Sequence, residues 1–431
     1  MPLSPSATVH VIGAGVAGLS GAVRVAKAGA EAGAEAGARV IVHEAAGQAG
    51  GRCRSFFDDV LGAEIDNGNH LLLSGNRSAM RYLAVIGAER ELLAMPTAAI
   101  PFVDLATGER WTVHPNRGPL AWWIFARGRR AAGSRAAHYL AAIRLARAGG
   151  ASVADLFGRQ TPTFRRFWEP LAVAVLNTAA SEGAARLLWP VMTETLGRGA
   201  AAARPCIARE GLSKAFVDPA LKWLAARGAA IRFNDRLRAI RVEGGRAAGL
   251  AFGDGEIALG PDDRVVLAVT PPAAAALLPG LVVPDDFRPI VNLHYKLAAP
   301  ARLPGGLPLV GLVGGTAQWL FVRGNILSVT ISAGEREVDE PAETLIERVW
   351  RDIAKALALG NAPAPPCRVV KEKRATFAQT PAQVAKRPKA NVGPKNLALA
   401  GDWIDTGLPA TIEGAIRSGE IAARLVERER D

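Results

Sequence analysis

The sequence contains few cysteines, and they are widely separated. Only Cys53, Cys206 and Cys367 occur in 431 residues. Their spacing excludes a clustered cysteine metal site and a dense disulfide framework, so we expect no bound metal. Scattered thiols of this kind are typical of a reducing compartment. We therefore expect a cytoplasmic location.

Long uninterrupted apolar segments are also absent. One uncharged apolar run, residues 265–283, approaches the length of a membrane-spanning helix, but three prolines and Gly280 interrupt it. The pattern instead predicts a strand from Arg264 to Val269, a Pro-Pro turn and a short Ala/Leu helix. Residues 1–8 lack the apolar core of a signal peptide, so we expect neither a spanning helix nor a secretory leader.

Acidic residues are missing from one long stretch. Residues 111–154 contain no Asp or Glu but seven arginines, and the aromatic run Trp122–Phe125 lies among them. Aromatic rings beside arginines are typical of peripheral contacts with anionic lipid. The alternative is a helical region with an aromatic core and solvated arginines.

The whole chain is basic, with a formal net charge of +12. This charge favours anionic surfaces or substrates as partners. No nucleic-acid-binding motif is found, so we expect no nucleic-acid partner. The oligomeric state is not predicted.

A glycine motif near the start of the chain carries the clearest functional signal. Residues 9–12 form an apolar run that predicts a buried parallel strand, and residues 13–18 then read G-x-G-x-x-G before an Ala-rich helix. In this motif Gly13 allows a tight turn, Gly15 lets the backbone approach a pyrophosphate, and Gly18 lets helix and strand pack closely. The helix N-terminus offers N–H groups to phosphate. The order strand, glycines, helix predicts a dinucleotide-binding fold.

Glu44 ends the next predicted strand, which begins at Arg39. A carboxylate at this position can accept hydrogen bonds from an adenosine ribose, and the alternative is a solvated strand end. The spacing from the glycines exceeds the usual value of about 20 residues. The excess coincides with an AGAE repeat in residues 30–37, which we interpret as an extension of the first helix or its loop without a chemical role.

Two polar loops follow. In Gly50-Gly51-Arg52 the backbone can pass close to a cofactor, and the guanidinium of the arginine offers a planar set of donors suited to phosphate. We therefore assign Gly51 and Arg52 to the cofactor site. A flexible solvated loop is the alternative. The second loop, Glu64–His70, is interpreted either as part of the active site or as an ordinary turn at its Asn-Gly pair.

The order of predicted elements indicates two interleaved domains. Strand and helix patterns alternate up to about residue 75, give way to a Trp- and Arg-rich region, and return from Pro205. A strand near residue 397 precedes a helix over 411–428. We predict a cofactor domain made of residues 1–75, 205–290 and 390–431, and a substrate domain made of residues 76–204 and 291–389.

The C-terminal run Gly401–Gly419 has the chemistry of a flavin site. The predicted strand ends at Gly401, and Asp402 can accept a hydrogen bond from a ribityl hydroxyl. Thr411 and Ile412 open a helix whose N–H groups can face the O2 and N1 edge of a flavin. Reduced flavin is anionic at this edge, so a helix N-terminus stabilises it.

Together these motifs resemble the FAD-binding amine oxidase and phytoene desaturase superfamily. The resemblance rests on the glycine loop, Glu44, the Gly-Gly-Arg loop and the Gly401–Gly419 run, which occur in the same order at both ends of the chain. It implies FAD as cofactor and an α/β fold with a Rossmann-type FAD-binding domain and an inserted α+β substrate domain. In such proteins a residue after the first insertion meets the adenine through its backbone, and Leu237 is assigned to that position.

Within the superfamily the chain most resembles the hydroxysqualene dehydroxylase family of bacterial hopanoid synthesis, also called squalene-associated FAD-dependent desaturases. The AGAE repeat and Asn69, where Gln is more usual, depart from the family pattern. The resemblance implies removal of a hydroxyl group from a triterpenoid alcohol, with reduced FAD as hydride source and an isoprenoid lipid as substrate. It rests on five segments besides the C-terminal run: Asp66–His70, Phe167–Leu171, Val291–His294, Gln318–Phe321 and Glu372–Phe377.

The implied reaction needs a proton for the departing oxygen. His70 is our candidate acid, with Asp66 as a helper, because the polar loop after Gly-Gly-Arg should lie near the flavin and histidine holds a proton near neutral pH. The alternative is that His70 only braces the loop. Because a squalene-like substrate dissolves in the bilayer, we also expect a peripheral contact with the membrane.

Three other functions are compatible with the same fold. A carotenoid-type desaturase shares every cofactor motif and differs mainly in the direction of electron flow. An amine oxidase would carry a tyrosine a few residues before Glu-Gly-Ala, and residues 409–412 contain no aromatic. A prenyl-binding escort protein without redox activity would not need the intact Gly-Gly-Arg and Gly-Asp motifs.

Overall fold

The computed structural model describes residues 7–31, 38–118, 120–303 and 306–428. The first helix ends at Glu31, and the rest of the AGAE repeat, residues 32–37, lies outside the described residues.

The strands are, in chain order, β1 (Thr8–Ile12), β2 (Arg39–His43), β3 (Ser55–Asp58), β4 (Ala63–Asp66), β5 (Leu72–Leu73), β6 (Leu92–Ala94), β7 (Ile100–Asp104), β8 (Arg110–Val113), β9 (Pro205–Ala208), β10 (Ala230–Arg232), β11 (Ala239–Glu243), β12 (Arg246–Phe252), β13 (Gly255–Ala258), β14 (Arg264–Leu267), β15 (Phe287–Lys296), β16 (Leu309–Val313), β17 (Trp319–Arg323), β18 (Ile326–Ser332), β19 (Cys367–Phe377) and β20 (Leu397–Leu399).

The α-helices are α1 (Val16–Glu31), α2 (Arg77–Ile86), α3 (Ala136–Leu140), α4 (Val153–Phe157), α5 (Glu169–Leu176), α6 (Leu188–Glu194), α7 (Asp218–Ala225), α8 (Pro271–Leu277), α9 (Ala342–Leu357), α10 (Pro381–Ala385) and α11 (Ile412–Val426).

A five-stranded parallel sheet forms the centre of the cofactor domain. Its order is β10-β2-β1-β14-β20, so three distant parts of the chain build one sheet. The β-branched side chains of β1, β2 and β14 are buried, as expected for strands covered on both faces. Helices α1, α2, α7 and α11 contribute apolar side chains to the same core. Because all five strands are parallel, the loops after β1, β2 and β20 meet at one edge.

A seven-stranded sheet of order β19-β15-β18-β17-β16-β7-β8 forms the substrate domain. All its pairings are antiparallel except that between β16 and β7. Helix α9 packs on it through Leu345, Val349 and Ile353, which share a core with strands β15–β18. This mixture of a largely antiparallel sheet with helices is the predicted α+β insertion.

The α/β fold class predicted from the sequence is confirmed. Two elements nevertheless do not follow the predicted domain boundaries. Helix α2 begins one residue after the predicted boundary, but its Tyr82 and Leu83 pack in the core of the cofactor domain. Strand β15 of the second sheet starts at Phe287, before the predicted start of the second insertion at residue 291.

Candidate active site

The three glycines after β1 have different structural roles. Gly13 has a φ of +104°, and a Cβ on it would lie 2.4 Å from the carbonyl oxygen of Ala268. A Cβ on Gly18 would lie 1.9 Å from the Gly13 carbonyl oxygen, so both positions require glycine for the fold itself. A Cβ on Gly15 would meet no described atom within 4 Å. Gly15 therefore borders open space beside the N-terminus of α1, whose first N–H groups have no partner within the helix.

The Gly-Gly-Arg loop lines the same space. The Gly50 N–H donates to the carbonyl oxygen of Ala14 at 2.8 Å, and Gly50 pairs with Gly15 in an isolated parallel bridge. Gly51 has a φ of +56°, and its Cβ position lies 3.7 Å from the Gly15 Cα. Two backbone segments without side chains thus face each other where the sequence predicts the pyrophosphate.

Arg52 connects this loop to the C-terminal part of the site. Its Nη2 donates to Asp402 Oδ1 at 2.7 Å, and its Nη1 donates to the carbonyl oxygen of Ala375. The carboxylate of Asp402 raises the pKa of Arg52 above its ordinary value. Asp402 Oδ2 accepts no hydrogen bond from the described residues and is free to accept one from a ribityl hydroxyl.

Glu44 lies directly after β2, beside the glycine loop. Its two carboxylate oxygens accept hydrogen bonds from the N–H groups of Ala14 at 2.7 Å and Ala46 at 2.8 Å. The carboxylate therefore approaches the glycine loop from the side where the sequence predicts the adenosine ribose.

Leu237 is buried in a loop that runs beside Glu44. Just before it, the N–H groups of Asn234 and Asp235 donate to the carbonyl oxygens of Ala46 and Glu44. Among the described residues nothing hydrogen-bonds to the main chain of Leu237. An unpaired backbone N–H and carbonyl beside Glu44 fit the predicted contact with an adenine edge.

The loop between β20 and α11 completes the cofactor site. The Gly401 N–H donates to Ser418 Oγ at 2.8 Å, which fixes the strand end against α11. Thr411 is the N-cap of α11 and accepts from the Gly414 N–H at 3.2 Å, and Ile412 is the first residue of the helix. The positive end of the α11 dipole therefore lies directly after the Asp402 loop.

Gln379 supports this loop, although no sequence pattern pointed to it. Its side chain is fully buried; Oε1 accepts from the Ala410 N–H at 2.9 Å, and Nε2 donates to the carbonyl oxygen of Leu176 at 2.7 Å. It thereby holds the residue before the α11 cap against the substrate domain.

Asp66 lies in a buried hydrogen-bond network. Its Oδ1 accepts from Ser55 Oγ at 2.6 Å and from the Leu212 N–H at 2.9 Å, and its Oδ2 pairs with Arg323 Nη1 at 2.6 Å. Three donors therefore fix this carboxylate at the end of β4, between the two domains.

His70 lies four residues further on and is partly buried. Burial and the charge of Arg52 lower its pKa to about 4, although the nearby carboxylate of Asp66 opposes this shift. His70 is therefore neutral at pH 7. It makes no hydrogen bond within the part of the chain that the structure describes, which leaves both ring nitrogens free for a ligand.

The polar loop between Asp66 and His70 is anchored to the substrate sheet. Asn292 is buried on β15; its Nδ2 donates to the Asn67 carbonyl oxygen at 3.3 Å, and its Oδ1 accepts from Thr330 Oγ1 at 2.9 Å. Asn69 Nδ2 donates to Thr330 Oγ1 at 3.1 Å. This departure from the usual Gln thus takes part in the anchor.

Comparison with known proteins identifies the family. Residues 16–427 match the family described as flavin containing amine oxidoreductase. The chain belongs to this family.

Within this flavin-containing family, hydroxysqualene dehydroxylases are similar to the chain over nearly its whole length. The protein of Rhodopseudomonas palustris is 47% identical over 98% of both chains. That of Sinorhizobium fredii is 46% identical over 97% of both chains. That of Zymomonas mobilis is 44% identical over 96% of this chain and 98% of its own.

Solved structures of an oxidoreductase and an amine oxidase share the fold. An oxidoreductase from Methanosarcina mazei superposes with a TM-score of 0.71 at 17% identity, covering 97% of this chain and 99% of its own. Cyclohexylamine oxidase from Brevibacterium oxydans superposes with a TM-score of 0.68 at 14% identity, covering 99% of both chains. The predicted FAD cofactor, the Rossmann-type fold and the oxidoreductase class are confirmed, whereas the roles of single residues stay predictions.

A buried histidine pair near the adenosine end escaped the sequence analysis. His10 Nδ1 lies 3.0 Å from His43 Nε2, and His43 Nδ1 lies 2.8 Å from Asp235 Oδ2. Because a carboxylate can only accept, His43 Nδ1–H donates to Asp235, and His43 Nε2 accepts a hydrogen bond from His10 Nδ1–H. Burial lowers the pKa of both histidines, that of His10 to about 4. Two histidines in predicted strands gave no signal that their side chains would meet.

The acid-free stretch divides into a buried and an exposed set of apolar side chains. Trp123 and Tyr139 are buried in edge-to-face contact, with ring centroids 5.3 Å apart. The exposed set consists of Leu120, Trp122, Phe125, Leu140 and Ile143, each at least half exposed. The structure thus shows an aromatic core, as in the second interpretation, while the membrane contact stays a prediction. We call the five exposed side chains the apolar rim.

Exposed arginines occur in the same part of the sequence as the apolar rim: Arg117, Arg127, Arg135, Arg144 and Arg147. None of the helices in the described part of the chain has the length and apolar character needed to cross a bilayer.

Proposed function

We propose that this FAD-dependent oxidoreductase removes the hydroxyl group of hydroxysqualene to give squalene, a step of hopanoid and isoprenoid biosynthesis. The observation that carries the proposal is the identity of 44–47% with three proteins named hydroxysqualene dehydroxylase, over at least 96% of this chain. The segments that resemble this family include Asn292 and the polar loop Asp66–His70, which Asn292 anchors.

The residues of the site fit FAD. Gly15 and Gly51 leave space for a pyrophosphate, which the N–H groups at the start of α1 can bind. Glu44 and Leu237 are the proposed contacts of the adenosine, and the free oxygen of Asp402 is the proposed acceptor for a ribityl hydroxyl. When bound and reduced, FAD supplies the hydride for the carbon that loses its hydroxyl group.

The start of α11 has an electrostatic role in this proposal. Its unpaired N–H groups and dipole favour negative charge in front of Thr411 and Ile412. A reductive reaction needs the cofactor in its electron-rich state, so this helix terminus favours the working form of the enzyme.

His70 is the proposed proton donor for the departing oxygen. Because burial keeps it neutral at pH 7, His70 must take up a proton before it can donate one, and the carboxylate of Asp66 favours the protonated form. Asp66 itself keeps its bonds to Ser55, Leu212 and Arg323 and acts through its charge. The His70→Gln and His70→Ala variants should lose at least about ten-fold in turnover at full FAD occupancy. Unchanged turnover with an unchanged pH profile would remove the acid role.

The apolar rim is the proposed contact with the membrane. Five exposed apolar side chains lie between residues 120 and 143, in a stretch of sequence that is rich in arginine and free of acidic residues. This combination is typical of a peripheral site for anionic lipid. Such a contact gives the enzyme access to a substrate that dissolves in the bilayer. We place the protein in the cytoplasm, at the inner face of the membrane.

Vesicle co-sedimentation tests this contact. The wild type should bind phosphatidylglycerol vesicles more than phosphatidylcholine vesicles, and less at high salt. Trp122→Ser with Phe125→Ser should reduce binding several-fold. Phe57→Ser with Val60→Ser is the matched control, since these side chains are each 66% exposed on another part of the surface. Equal losses in both pairs, or binding that ignores lipid charge, would contradict the assignment.

Anaerobic turnover tests the reaction and its direction. Pre-reduced enzyme is incubated with hydroxysqualene, while lipid products are followed by mass and the flavin by absorbance. Squalene should appear as the flavin reoxidises, in equal amounts because each turnover consumes two electrons. An unchanged alcohol, together with desaturation of a polyene by the oxidised enzyme, would instead identify a carotenoid-type desaturase.

A further inference from the structure

Arg387 occupies an unusual position beneath the loop that joins β20 to α11. It follows α10, is 6% exposed, and points its guanidinium at main-chain carbonyl oxygens of that loop. Nη1 donates to Leu408 at 2.8 Å, and Nη2 donates to Asp402 at 3.3 Å and also to Ile404. Nε donates to Trp403 at 3.4 Å. One side chain therefore binds four carbonyl groups of the segment 402–408.

The segment 402–408 has no regular secondary structure, so its carbonyl groups lack strand or helix partners. Buried carbonyl groups without partners destabilise a fold. Arg387 satisfies four of them at once, and the N–H of Asp405 donates to the carbonyl oxygen of Pro388 at 2.9 Å. The shape of the loop therefore depends on the residues around Arg387.

The charge of Arg387 is not neutralised by an ion pair. Among the described residues, no carboxylate lies within 4.0 Å of its guanidinium. The guanidinium carbon Cζ of Arg387 lies over the ring of Phe377, 5.5 Å from its centroid. Burial lowers the pKa of Arg387 to about 10, so the side chain is still cationic at neutral pH. Carbonyl dipoles thus hold a buried positive charge close to the N-terminus of α11.

The loop carries functional groups at both ends. Asp402, at its start, is the proposed acceptor for the ribityl chain, and Thr411 begins the helix whose positive end is proposed to face the flavin. Any change in the path from 402 to 408 moves these two groups relative to each other.

We propose that Arg387 is a positioning residue for FAD. It holds the 402–408 loop in the shape that binds the cofactor, and its positive charge favours the negatively charged, reduced cofactor. This inference rests on the FAD placement given under the proposed function, and it does not depend on the identity of the substrate.

Flavin titration of apoprotein and the flavin midpoint potential test the proposal without substrate. Arg387→Gln should raise the Kd for FAD by about ten-fold or more and make the midpoint potential more negative, since several hydrogen bonds to a charged group and the charge itself are lost. Arg387→Lys keeps the charge but has one nitrogen in place of a planar fork. It should keep the potential near the wild-type value while the Kd still rises.

Arg264→Gln is the matched control. Arg264 is 8% exposed and also donates to main-chain carbonyl oxygens, but it lies at the start of β14, at the opposite end of the strand from the cofactor site. It should leave the midpoint potential unchanged. A loss of FAD affinity equal to that of Arg387→Gln would show general destabilisation and overturn the proposal.

Other outcomes of these measurements also support or overturn parts of the proposal. A folded Arg387→Gln protein with the wild-type Kd overturns the positioning role, and one with the wild-type potential overturns the charge effect. If Arg387→Gln does not fold, as judged by circular dichroism, Arg387→Lys decides in its place: a raised Kd supports the role and a wild-type Kd overturns it. Failure of the wild type to bind FAD would instead contradict the cofactor site itself.

Discussion

At the scale of single residues, the three motif glycines differ in what a side chain would disturb. Gly15→Val adds its side chain to open space, so the apoprotein should fold with nearly wild-type stability while FAD binding is lost. Flavin content after purification and circular dichroism of the apoprotein measure the two effects.

Two further glycines serve as controls for this prediction. Gly18→Val should reduce stability itself, because its Cβ would lie 1.9 Å from the Gly13 carbonyl oxygen. Gly128→Val, at an exposed position of the short 3₁₀ helix Arg127–Arg129 where a Cβ meets nothing within 4 Å, should keep both stability and flavin. Recovery of Gly15→Val with full flavin content would contradict the assigned pyrophosphate site.

The buried histidine pair predicts a loss of stability in acid. The pKa of His10 is lowered from 6.5 to about 4 in the folded protein, so the unfolded chain binds the proton first as the pH falls. Stability is therefore full above about pH 6.5 and is lost between pH 6.5 and 4. By pH 4.5 the protonation of His10 in the unfolded chain lowers the free energy of unfolding by about 2.5 kcal/mol.

His10→Asn isolates this contribution. The amide can replace Nδ1 as donor to His43 but does not titrate between pH 4 and 7. The free energy of unfolding, measured in urea at pH 7 and pH 4.5, should fall less for His10→Asn than for the wild type. Equal decreases would show that His10 does not control the acid sensitivity.

At the scale of elements, Glu413 links two helices. It lies in the first turn of α11, and its carboxylate accepts from the N–H groups of Ser78 at 2.9 Å and Ala79 at 2.8 Å at the start of α2. Arg417, which also pairs with Glu194, donates to the same carboxylate. A buried anion thus replaces the missing side-chain cap of α2.

Glu413→Gln should lower the free energy of unfolding by about 1–3 kcal/mol, because the amide offers one acceptor oxygen and no charge. Urea denaturation at pH 7 measures the change. Glu343→Gln, an exposed glutamate in the first turn of α9, should change stability by less than about 0.5 kcal/mol. Equal effects of the two variants would exclude the capping role.

Elements whose signals are local could be predicted from the sequence. The glycine loop, the α9 helix and the interrupted apolar run each depend on neighbouring residues, and strand β14 with helix α8 replaces a membrane span as expected. Arg387 and Gln379 could not be found in this way. Their partners are carbonyl and N–H groups of residues 402–410. Because nearly every residue type carries the same main-chain groups, the sequence does not show which of these groups bind a side chain.

Domain limits were predictable only approximately for the same reason. The sequence of α2 reads as an ordinary amphipathic helix, and its place in the cofactor domain is decided by contacts with Glu413 and the distant helix α11. Likewise, His10 and His43 become neighbours only because β1 and β2 pair in parallel.

At the scale of the whole molecule, bound FAD should stabilise the fold by contacting distant parts of the chain at once. The glycine loop, the 232–237 segment and the Asp402 loop come from three separate regions that meet at one sheet edge. FAD at 100 times its Kd should stabilise the folded apoprotein by about 2.7 kcal/mol.

Thermal unfolding of apoprotein with and without FAD checks this linkage. The wild type should unfold at a higher temperature with FAD, and Gly15→Val should not respond. An equal response of the variant would place the stabilising FAD elsewhere on the protein.

The strand order β10-β2-β1-β14-β20 also has a consequence for synthesis on the ribosome. The glycine loop emerges early, whereas β20 and α11 emerge only after both parts of the substrate domain. At about 5–20 residues per second the interval lasts on the order of tens of seconds. Until then β14 presents an unpaired edge, a template for wrong pairing. We therefore expect the nascent chain to be prone to wrong strand pairing until β20 emerges, and FAD to bind only after the Asp402 loop has emerged.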